Sequence, residues 1–289
     1  MNSFRVFILM LVMMALFAGV GYLVGGPNGM ILAFVLAMVM NFVSYWFSDK
    51  IVLKMYKARE ISAADHPRLW RVVSRVAVKA NNMPMPKVYI VPSKAPNAFA
   101  TGRSLEHAAV AATEGLLEML NEDELEGVIG HEFAHIRNRD MLIGTIAATF
   151  AGAIGILASI ARWGAIFGGY SRDNNRGGGI GLLVAAIVAP LIAMVIQFAI
   201  SRQREYKADA VGGKITGKHM ALADALEKLH RSPVRLNLDE RPATAHMMIV
   251  NPLSGKGISS LFSTHPPVAE RVKRLRESYT KSIYEGYAG

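Results

Sequence analysis

Two histidines and a glutamate stand close together in the segment His131–His135, which reads H-E-F-A-H. In a helix, residues at i and i+4 lie on one face, so both imidazoles can bind the same metal ion. Glu132 lies about 100° around the helix from His131, where it is better placed to take a proton from water than to act as a ligand. The pentad therefore predicts zinc-assisted peptide hydrolysis.

The sequence before the pentad favours a buried helix over the alternative, which is a pair of surface histidines on an amphipathic helix. Asn121 can cap a helix, and Glu124 stands three residues later, as in a capping box. Apolar residues then recur at helical spacing, at Leu125, Val128, Ile129 and Phe133. We therefore expect the pentad to lie well inside a helix whose apolar face is buried.

A catalytic zinc site usually has three protein ligands, so the pentad leaves one ligand to be found. The chain has no cysteine, which leaves His, Glu or Asp. The best candidate is Glu205, on a second predicted helix, as in sites with two histidines and a glutamate. Asp209, four residues later, could accept the second N–H of a ligating histidine. The alternative for Glu205 and Asp209 is a pair of surface carboxylates.

His265 and Arg271 lie near the end of the chain and complete the candidate site. His265 precedes Pro266 and Pro267, which stiffen the turn. A rigidly held histidine could stabilise the oxyanion of a tetrahedral intermediate. Arg271 could pair with Asp209 or with charge that develops during the reaction. A loop histidine and a surface arginine are the alternative.

The composition indicates a membrane protein, because 52% of the residues are hydrophobic and 19% are charged. Four apolar runs account for this, at Val6–Val24, Met30–Phe47, Met141–Ala161 and Ile180–Ile200. The uncharged turn Gly25–Gly29 predicts a helical hairpin of the first two runs. A cleaved signal peptide is the alternative for the first run. For the third and fourth runs, the alternative to full spanning is packing against the protein without crossing the bilayer.

Lysine and arginine concentrate at one end of these runs, which predicts that both termini and the zinc domain lie on the cytoplasmic side of the membrane. The formal net charge of +10 is then largely next to the membrane, where it can interact with anionic lipid. Nucleic-acid binding is the rival interpretation, and we do not predict it because the basic residues follow the ends of the apolar runs. The predicted partners are the lipid bilayer and protein substrates, mainly membrane proteins.

These features predict an α-helical integral membrane protein with a mainly helical α+β catalytic domain of the zincin type that carries a small sheet. We expect a transmembrane hairpin in 1–48, the two halves of the catalytic domain in 49–140 and 202–289, and a second hydrophobic hairpin in 141–201. Three strands are predicted, at Lys87–Val91, Asn97–Gly102 and Ala109–Thr113. Other predicted helices are Arg68–Ala80, Leu222–Leu229 and Val268–Tyr279, and 232–262 reads as a long loop that could gate the site.

The strand Asn97–Gly102 is our candidate for an exposed edge that pairs with an extended substrate. Its residues Asn97, Ala98, Phe99 and Ala100 would then contact the substrate backbone next to the metal. A plain core strand is the alternative.

Four segments together resemble one protein family: PNAFATGR at 96–103, HEFAHIRNRD at 131–140, SRQREYKADA at 201–210 and THPPVAER at 264–271. The chain resembles the HtpX-type bacterial membrane zinc proteases, relatives of the CaaX-processing membrane endopeptidases. The resemblance implies an inner-membrane endopeptidase with a cytoplasmic active site that cuts misfolded or damaged membrane proteins under stress. It also implies one zinc ion bound by His131, His135 and Glu205, with Glu132 as base, and it supports roles for His265 and Arg271.

Two other functions fit parts of the pattern. A zinc-bound membrane chaperone or scaffold would need the ligands but not Glu132 as base, so the presence of Glu132 argues against it. A processing protease of narrow specificity would use the same residues on fewer substrates.

Overall fold

The structure is a computed structural model that describes residues 2–140, 142, 143, 146, 202–234, 248–249 and 266–287. In chain order its elements are α1 (Asn2–Met55), β1 (Arg59–Glu60), α2 (Pro67–Lys79), β2 (Lys87–Val91), β3 (Ala98–Gly102), β4 (Ala108–Thr113), α3 (Glu114–Met119), α4 (Glu122–Asn138), α5 (Arg202–Thr216), α6 (His219–Arg231) and α7 (Val268–Tyr287). The described part of the chain is therefore mostly helical and carries one small sheet, as the sequence predicts.

The N-terminal helix α1 reverses direction at Gly26, which has a φ of +59°. Its two arms lie side by side, since the Asn41 side-chain amide donates to the Met10 carbonyl at 3.2 Å. Gly21 and Gly29 meet across the reversal, where a Cβ on either residue would lie 2.4 Å from the carbonyl oxygen of the other. The residues of α1 therefore form a helical hairpin whose arms touch through backbone that only glycine permits.

One helical segment among the described residues is long and apolar enough to cross a membrane, Gly26–Phe47, with a mean hydropathy of 2.0. It indicates a membrane location and includes the predicted run Met30–Phe47. The first arm carries a further apolar helix, Val6–Tyr22, which covers most of the predicted run Val6–Val24. The predicted runs Met141–Ala161 and Ile180–Ile200 lie almost wholly outside the described residues.

The described sheet has the order β1-β2-β4-β3, so β3 is an edge strand as predicted, but it is not an exposed one, because all five of its residues are buried. Strand β2 pairs with β4 in parallel, and β3 pairs with β4 antiparallel. Successive side chains of a strand point to opposite faces. Ala98, Ala100 and Val110 pack into the main helical core, whereas Phe99 and Ala111 pack against the end of α1. The sheet therefore lies between the end of the hairpin and the helices of the catalytic domain.

The main core takes residues from both sides of the segment 141–201. Its buried members include residues of α2, α4, α6 and α7, among them Leu69, Val76, Val128, Phe133, Leu226 and Leu275. Burial of these side chains supplies the hydrophobic stabilisation that holds the separate stretches of sequence together.

Helix α4 ends earlier than the sequence predicts. We expect the pentad helix to reach about Asp140, and it ends two residues earlier, at Asn138, because Arg139 adopts a left-handed conformation with a φ of +56°. The Arg139 backbone N–H donates to the Ile136 carbonyl at 3.0 Å and closes the helix. The pentad helix therefore does not continue directly into the run that starts at Met141.

The other predicted helices occur at the expected places. Helix α2 is shifted by one residue from the predicted Arg68–Ala80, whereas α6 and α7 are longer than predicted. The short elements β1 and α3 are not predicted, because two to six residues give too little periodicity to detect. Most of the predicted loop 232–262 lies outside the described residues, so its predicted gating of the site stays a prediction.

Candidate metal centre

The pentad lies on α4, which begins with the predicted capping box. The Glu124 N–H donates to Asn121 Oδ1 and the Asn121 N–H donates to Glu124 Oε2, both at 2.9 Å. His131 and Glu132 are only 2% and 5% exposed. The pentad therefore faces the interior of the domain, which excludes the alternative of two surface histidines.

Two glycines allow α4 and α5 to approach closely enough to form one site. A Cβ at Gly212 on α5 would lie 2.6 Å from the backbone nitrogen of His131. A Cβ at Gly130 on α4 would lie 2.9 Å from the Gly212 carbonyl oxygen. Such contacts are too short for any larger residue, so the helices meet through their backbones. This crossing brings Glu205 of α5 beside the histidines of α4.

Three side chains converge at this crossing. The Nε2 atoms of His131 and His135 lie 3.1 Å apart. The carboxylate oxygens of Glu205 lie 3.7 Å from His131 Nε2 and 3.5 Å from His135 Nε2. Each residue thus offers one ligand atom within 4.8 Å of the others, which is an arrangement that could hold a metal ion. The alternative of a surface carboxylate does not apply to Glu205, which is 8% exposed.

Glu132 lies beside the three converging side chains without being one of them. Burial raises the pKa of Glu132, and the nearby Glu205 carboxylate raises it further. The two histidines and a hydrogen bond from the Ala100 backbone act in the opposite direction. A carboxyl group with a raised pKa can both accept and return a proton near neutral pH.

Asp140 faces His135 from just beyond the end of α4. Its Oδ2 lies 3.5 Å from His135 Nδ1, because the left-handed Arg139 turns the chain back towards the helix. Burial alone would lower the pKa of His135, but Asp140, Glu205 and Glu132 outweigh it and raise the pKa to about 9. The carboxylates therefore favour a positive charge at the position of the imidazole. A metal cation bound there would be favoured in the same way.

Asp209 and Arg271 form a buried ion pair behind His131. Arg271 Nε and Nη2 donate to the two carboxylate oxygens of Asp209, each at 2.7 Å. Burial alone would raise the pKa of Asp209, but Arg271 and His131 hold it below its usual range, so Asp209 is a carboxylate. Its Oδ1 lies 2.9 Å from His131 Nδ1, at hydrogen-bond distance but off the direction of the ring N–H.

The edge strand β3 directs part of its backbone towards the site. Thr113 N–H donates to the Asn97 carbonyl at 2.9 Å, so Asn97 and Thr113 form a hydrogen-bonded pair. Because such pairs alternate in an antiparallel ladder, Ala98 and Ala100 direct their N–H and carbonyl groups away from β4. The Ala100 backbone reaches the Glu132 carboxylate. The side of β3 that faces away from β4 therefore borders the residue predicted to act as base.

Two predicted site residues have different outcomes. The side chain of Asn97 accepts a hydrogen bond from the Ile249 backbone N–H at 3.1 Å, within the protein itself. His265 lies outside the described residues, so its predicted role as an oxyanion donor stays a prediction.

Sequence reasoning missed two residues that the structure brings to the site. Asp140 stands in the segment HEFAHIRNRD, but its contact with His135 depends on the backbone conformation of Arg139. Ile249 contributes only its backbone N–H and carbonyl groups, which carry no residue-type signal. A search for carboxylates within two turns after the second histidine could have found Asp140.

The sequence matches the profile of Peptidase family M48 over residues 63–279. It is 54% identical over 276 residues to a "Protease HtpX homolog" from Desulfatibacillum aliphaticivorans, covering 95% of this chain and 89% of that protein. It is also 54% identical over 274 residues to a "Protease HtpX homolog" from Pyrococcus furiosus, covering 94% of each chain.

A solved structure of Ste24p from S. mikatae has a similar fold, with a TM-score of 0.53 and 21% sequence identity. The similarity covers 91% of this chain and 62% of that one. The family profile spans well over half of the sequence, the curated relatives match almost end to end, and the three metal-ligand types converge in the structure. The chain therefore belongs to peptidase family M48, as a metalloprotease of the HtpX type.

Proposed function

We propose that this protein is a zinc-dependent endopeptidase at the membrane surface that hydrolyses misfolded or damaged membrane proteins as part of a stress response. The proposal rests on one observation: His131, His135 and Glu205 converge in a buried site that also contains Glu132 and borders an edge strand. The family membership supports the reaction class, and the buried site supports the assignment of individual residues.

Zinc is the metal that this set of donors suits best. Two imidazoles and one carboxylate are the protein ligands of many catalytic zinc sites, which keep a further position for water or substrate. Ligands in tetrahedral positions at about 2.1 Å from zinc lie about 3.4 Å apart. The separations of 3.1, 3.5 and 3.7 Å among the donor atoms are close to this value.

The residues around the site have distinct roles in the proposed reaction. Zinc, when bound, supplies Lewis acidity that polarises the scissile carbonyl. Glu132 accepts a proton from the attacking water and returns it to the leaving amine, which its raised pKa favours. His265 would donate to the oxyanion, as its sequence context predicts. Arg271 is engaged with Asp209 at 2.7 Å, so we assign it to holding Asp209 rather than to contact with substrate.

The substrate backbone would extend along the side of β3 that faces away from β4. An added strand could form backbone hydrogen bonds with the outward N–H and carbonyl of Ala98 and with the outward carbonyl of Ala100, whose N–H already reaches Glu132. These bonds do not depend on the substrate side chains, so this edge suits substrates of varied sequence. Because the Ala100 backbone reaches Glu132, a substrate peptide bond held along β3 would lie near this proposed base.

The hairpin of α1 supports a membrane setting for the enzyme. Large apolar side chains on its arms are exposed, including Phe4 at 69%, Ile31 at 58% and Leu32 at 72%. Such a surface is costly in water and suits contact with lipid. Arg103, which follows β3, stacks 4.9 Å from the Trp46 ring near the end of the apolar segment. The substrate strand would therefore lie close to the membrane, with the site on the cytoplasmic side of the inner membrane.

The decisive experiment combines metal analysis with proteolysis of an unfolded membrane protein by the purified full-length chain. We expect one zinc per wild-type chain and measurable cleavage. Glu132→Gln should keep the zinc and lose about 10²- to 10⁴-fold in rate, the usual contribution of a general base. Glu205→Ala should lose zinc as well as activity.

Glu118→Gln is the matched control, since Glu118 is exposed on α3 and pairs only at the surface with Lys94. It should behave as wild type. Normal cleavage by zinc-loaded Glu132→Gln would refute the proposed mechanism. A wild-type protein that binds unfolded substrates without cutting them would be a chaperone or scaffold instead. Cleavage restricted to a prenylated peptide would indicate a processing protease of narrow specificity.

A further inference from the structure

A chain of buried polar contacts joins the start of β3 to the pentad helix. Asn97 Oδ1 accepts from the Ile249 N–H at 3.1 Å, and the Ile249 carbonyl accepts from Arg271 Nη1 at 2.7 Å. Arg271 donates to both carboxylate oxygens of Asp209, and Asp209 Oδ1 lies 2.9 Å from His131 Nδ1. The chain of contacts therefore runs from the proposed substrate strand to a proposed metal ligand.

Every residue in this series of polar contacts is buried. Asn97 is 1% exposed, Ile249 4% and Arg271 0%. A buried donor or acceptor that loses its partner costs about 1–3 kcal/mol, so each of these contacts constrains its neighbours strongly. Asn97 is itself held by β4, since its N–H donates to Thr113 Oγ1 and its carbonyl accepts from the Thr113 N–H, both at 2.9 Å. Asn97 is therefore a rigid support for the Ile249 peptide.

The Ile249 carbonyl determines which way part of the Arg271 side chain points. Arg271 Nη1 lies 2.7 Å from this carbonyl and 3.8 Å from Glu205 Oε2. Without the carbonyl, the same N–H groups would pair with the Glu205 carboxylate, the nearest remaining acceptor described for Nη1. A guanidinium that binds a carboxylate directly competes with a metal ion for the same oxygens.

We infer that Asn97 is a positioning residue for the metal centre. By holding the Ile249 peptide, Asn97 keeps Arg271 engaged with Ile249 and Asp209, and keeps the Glu205 carboxylate directed at the histidines. This inference rests on the proposed function, in which Glu205 is a zinc ligand. It gives Asn97 a role that differs from the substrate contact predicted from the sequence.

The test compares the zinc affinity of purified full-length variants by competition with a chromophoric chelator. We expect Asn97→Ala to weaken zinc binding by about 10- to 100-fold, the usual effect of losing a residue that orients metal ligands. Its kcat should fall with little change in KM. Asn97→Asp keeps an oxygen that accepts from the Ile249 N–H, so it should restore most of the affinity. Hydrogen exchange at the Ile249 amide should accelerate in Asn97→Ala and not in Asn97→Asp.

Ser232→Ala is the matched control, because it also removes a buried polar group, a hydroxyl that donates to the Val234 carbonyl at 3.1 Å, away from Asn97, Ile249 and Arg271. It should leave zinc affinity unchanged. If Asn97→Ala does not fold, Asn97→Ser gives the same comparison, since its hydroxyl is too short to reach Ile249.

Unchanged zinc affinity with a raised KM in Asn97→Ala would overturn the inference and support a direct contact with substrate. A wild-type protein that binds zinc without cleaving protein would refute the proposed function, while the affinity comparison would still decide the role of Asn97.

Discussion

Gly212 on α5 lies directly against the backbone of His131 on α4, and a Cβ at Gly212 would stand 2.6 Å from the His131 nitrogen. We expect Gly212→Ala to force the two helices apart and to separate His131 from Glu205. The free energy of unfolding should fall by about 1–3 kcal/mol, as is usual for overpacking. Zinc affinity should fall with it, because the ligands come from both helices. Chelator competition and thermal melting measure these effects.

Ala210→Leu is the control for Gly212→Ala, since it adds a larger side chain to the exposed face of the same helix. Ala210→Leu should change neither the free energy of unfolding nor the zinc affinity appreciably. Wild-type zinc affinity in Gly212→Ala would show that the close helix contact is not needed for the site.

The pKa of His135 predicts a pH dependence of the metal-free protein. Although burial opposes it, Asp140, Glu205 and Glu132 raise this pKa from 6.5 to about 9. The protonated imidazole therefore contributes stability that is fully present below pH 6.5 and is lost as pH rises through 9. Zinc must displace this proton, so zinc affinity should increase with pH up to about 9. Melting in chelator and proton release in calorimetry report the two effects.

Asp140→Asn should weaken both pH effects, because Asp140 lies 3.5 Å from His135 Nδ1 and its charge would be removed. An unchanged pH profile in this variant would mean that Asp140 does not act on His135.

Glu126 on α4 should contribute to stability without affecting the metal centre. Its carboxylate, with a side chain 1% exposed, pairs with Arg75 at 2.9 Å and with Lys79 at 2.6 Å. We expect Glu126→Gln to lower the free energy of unfolding by about 1–3 kcal/mol, since hydrogen bonds to a buried charge are lost. Glu122→Gln removes an exposed partner of the same Arg75 and should cost less than about 1 kcal/mol. Denaturant unfolding distinguishes them, and equal effects would contradict the prediction.

Arg271→Lys should be damaging although it keeps the positive charge. The planar guanidinium donates to both Asp209 oxygens and to the Ile249 carbonyl, which a single ammonium group cannot reproduce. Breaking this buried arrangement should cost about 3–5 kcal/mol of stability. Arg276→Lys, at an exposed position on the same helix, is the control and should have little effect. Near-wild-type melting of Arg271→Lys would show that charge alone suffices.

Much of the fold could be predicted because its signals are local. The capping box of α4 needs only Asn121 and Glu124, and the strand Lys87–Val91 is observed with its predicted bounds. The end of α4 was predicted only to within two residues, at about Asp140 instead of Asn138, since the left-handed conformation of Arg139 is not favoured by its residue type. Short elements such as β1 were also missed, because their formation depends on pairing with β2.

The sequence by itself determined that His131 and His135 share a helix face, because the spacing of i and i+4 is a property of every α-helix. It also identified Glu205 and Asp209 as the candidates on a second helix. Only the tertiary structure brings these residues within 4 Å of the histidines, through the glycine contact between α4 and α5. The contact of Asn97 with Ile249 was likewise decided by packing, because a backbone N–H is the same in every residue except proline and leaves no trace in the sequence.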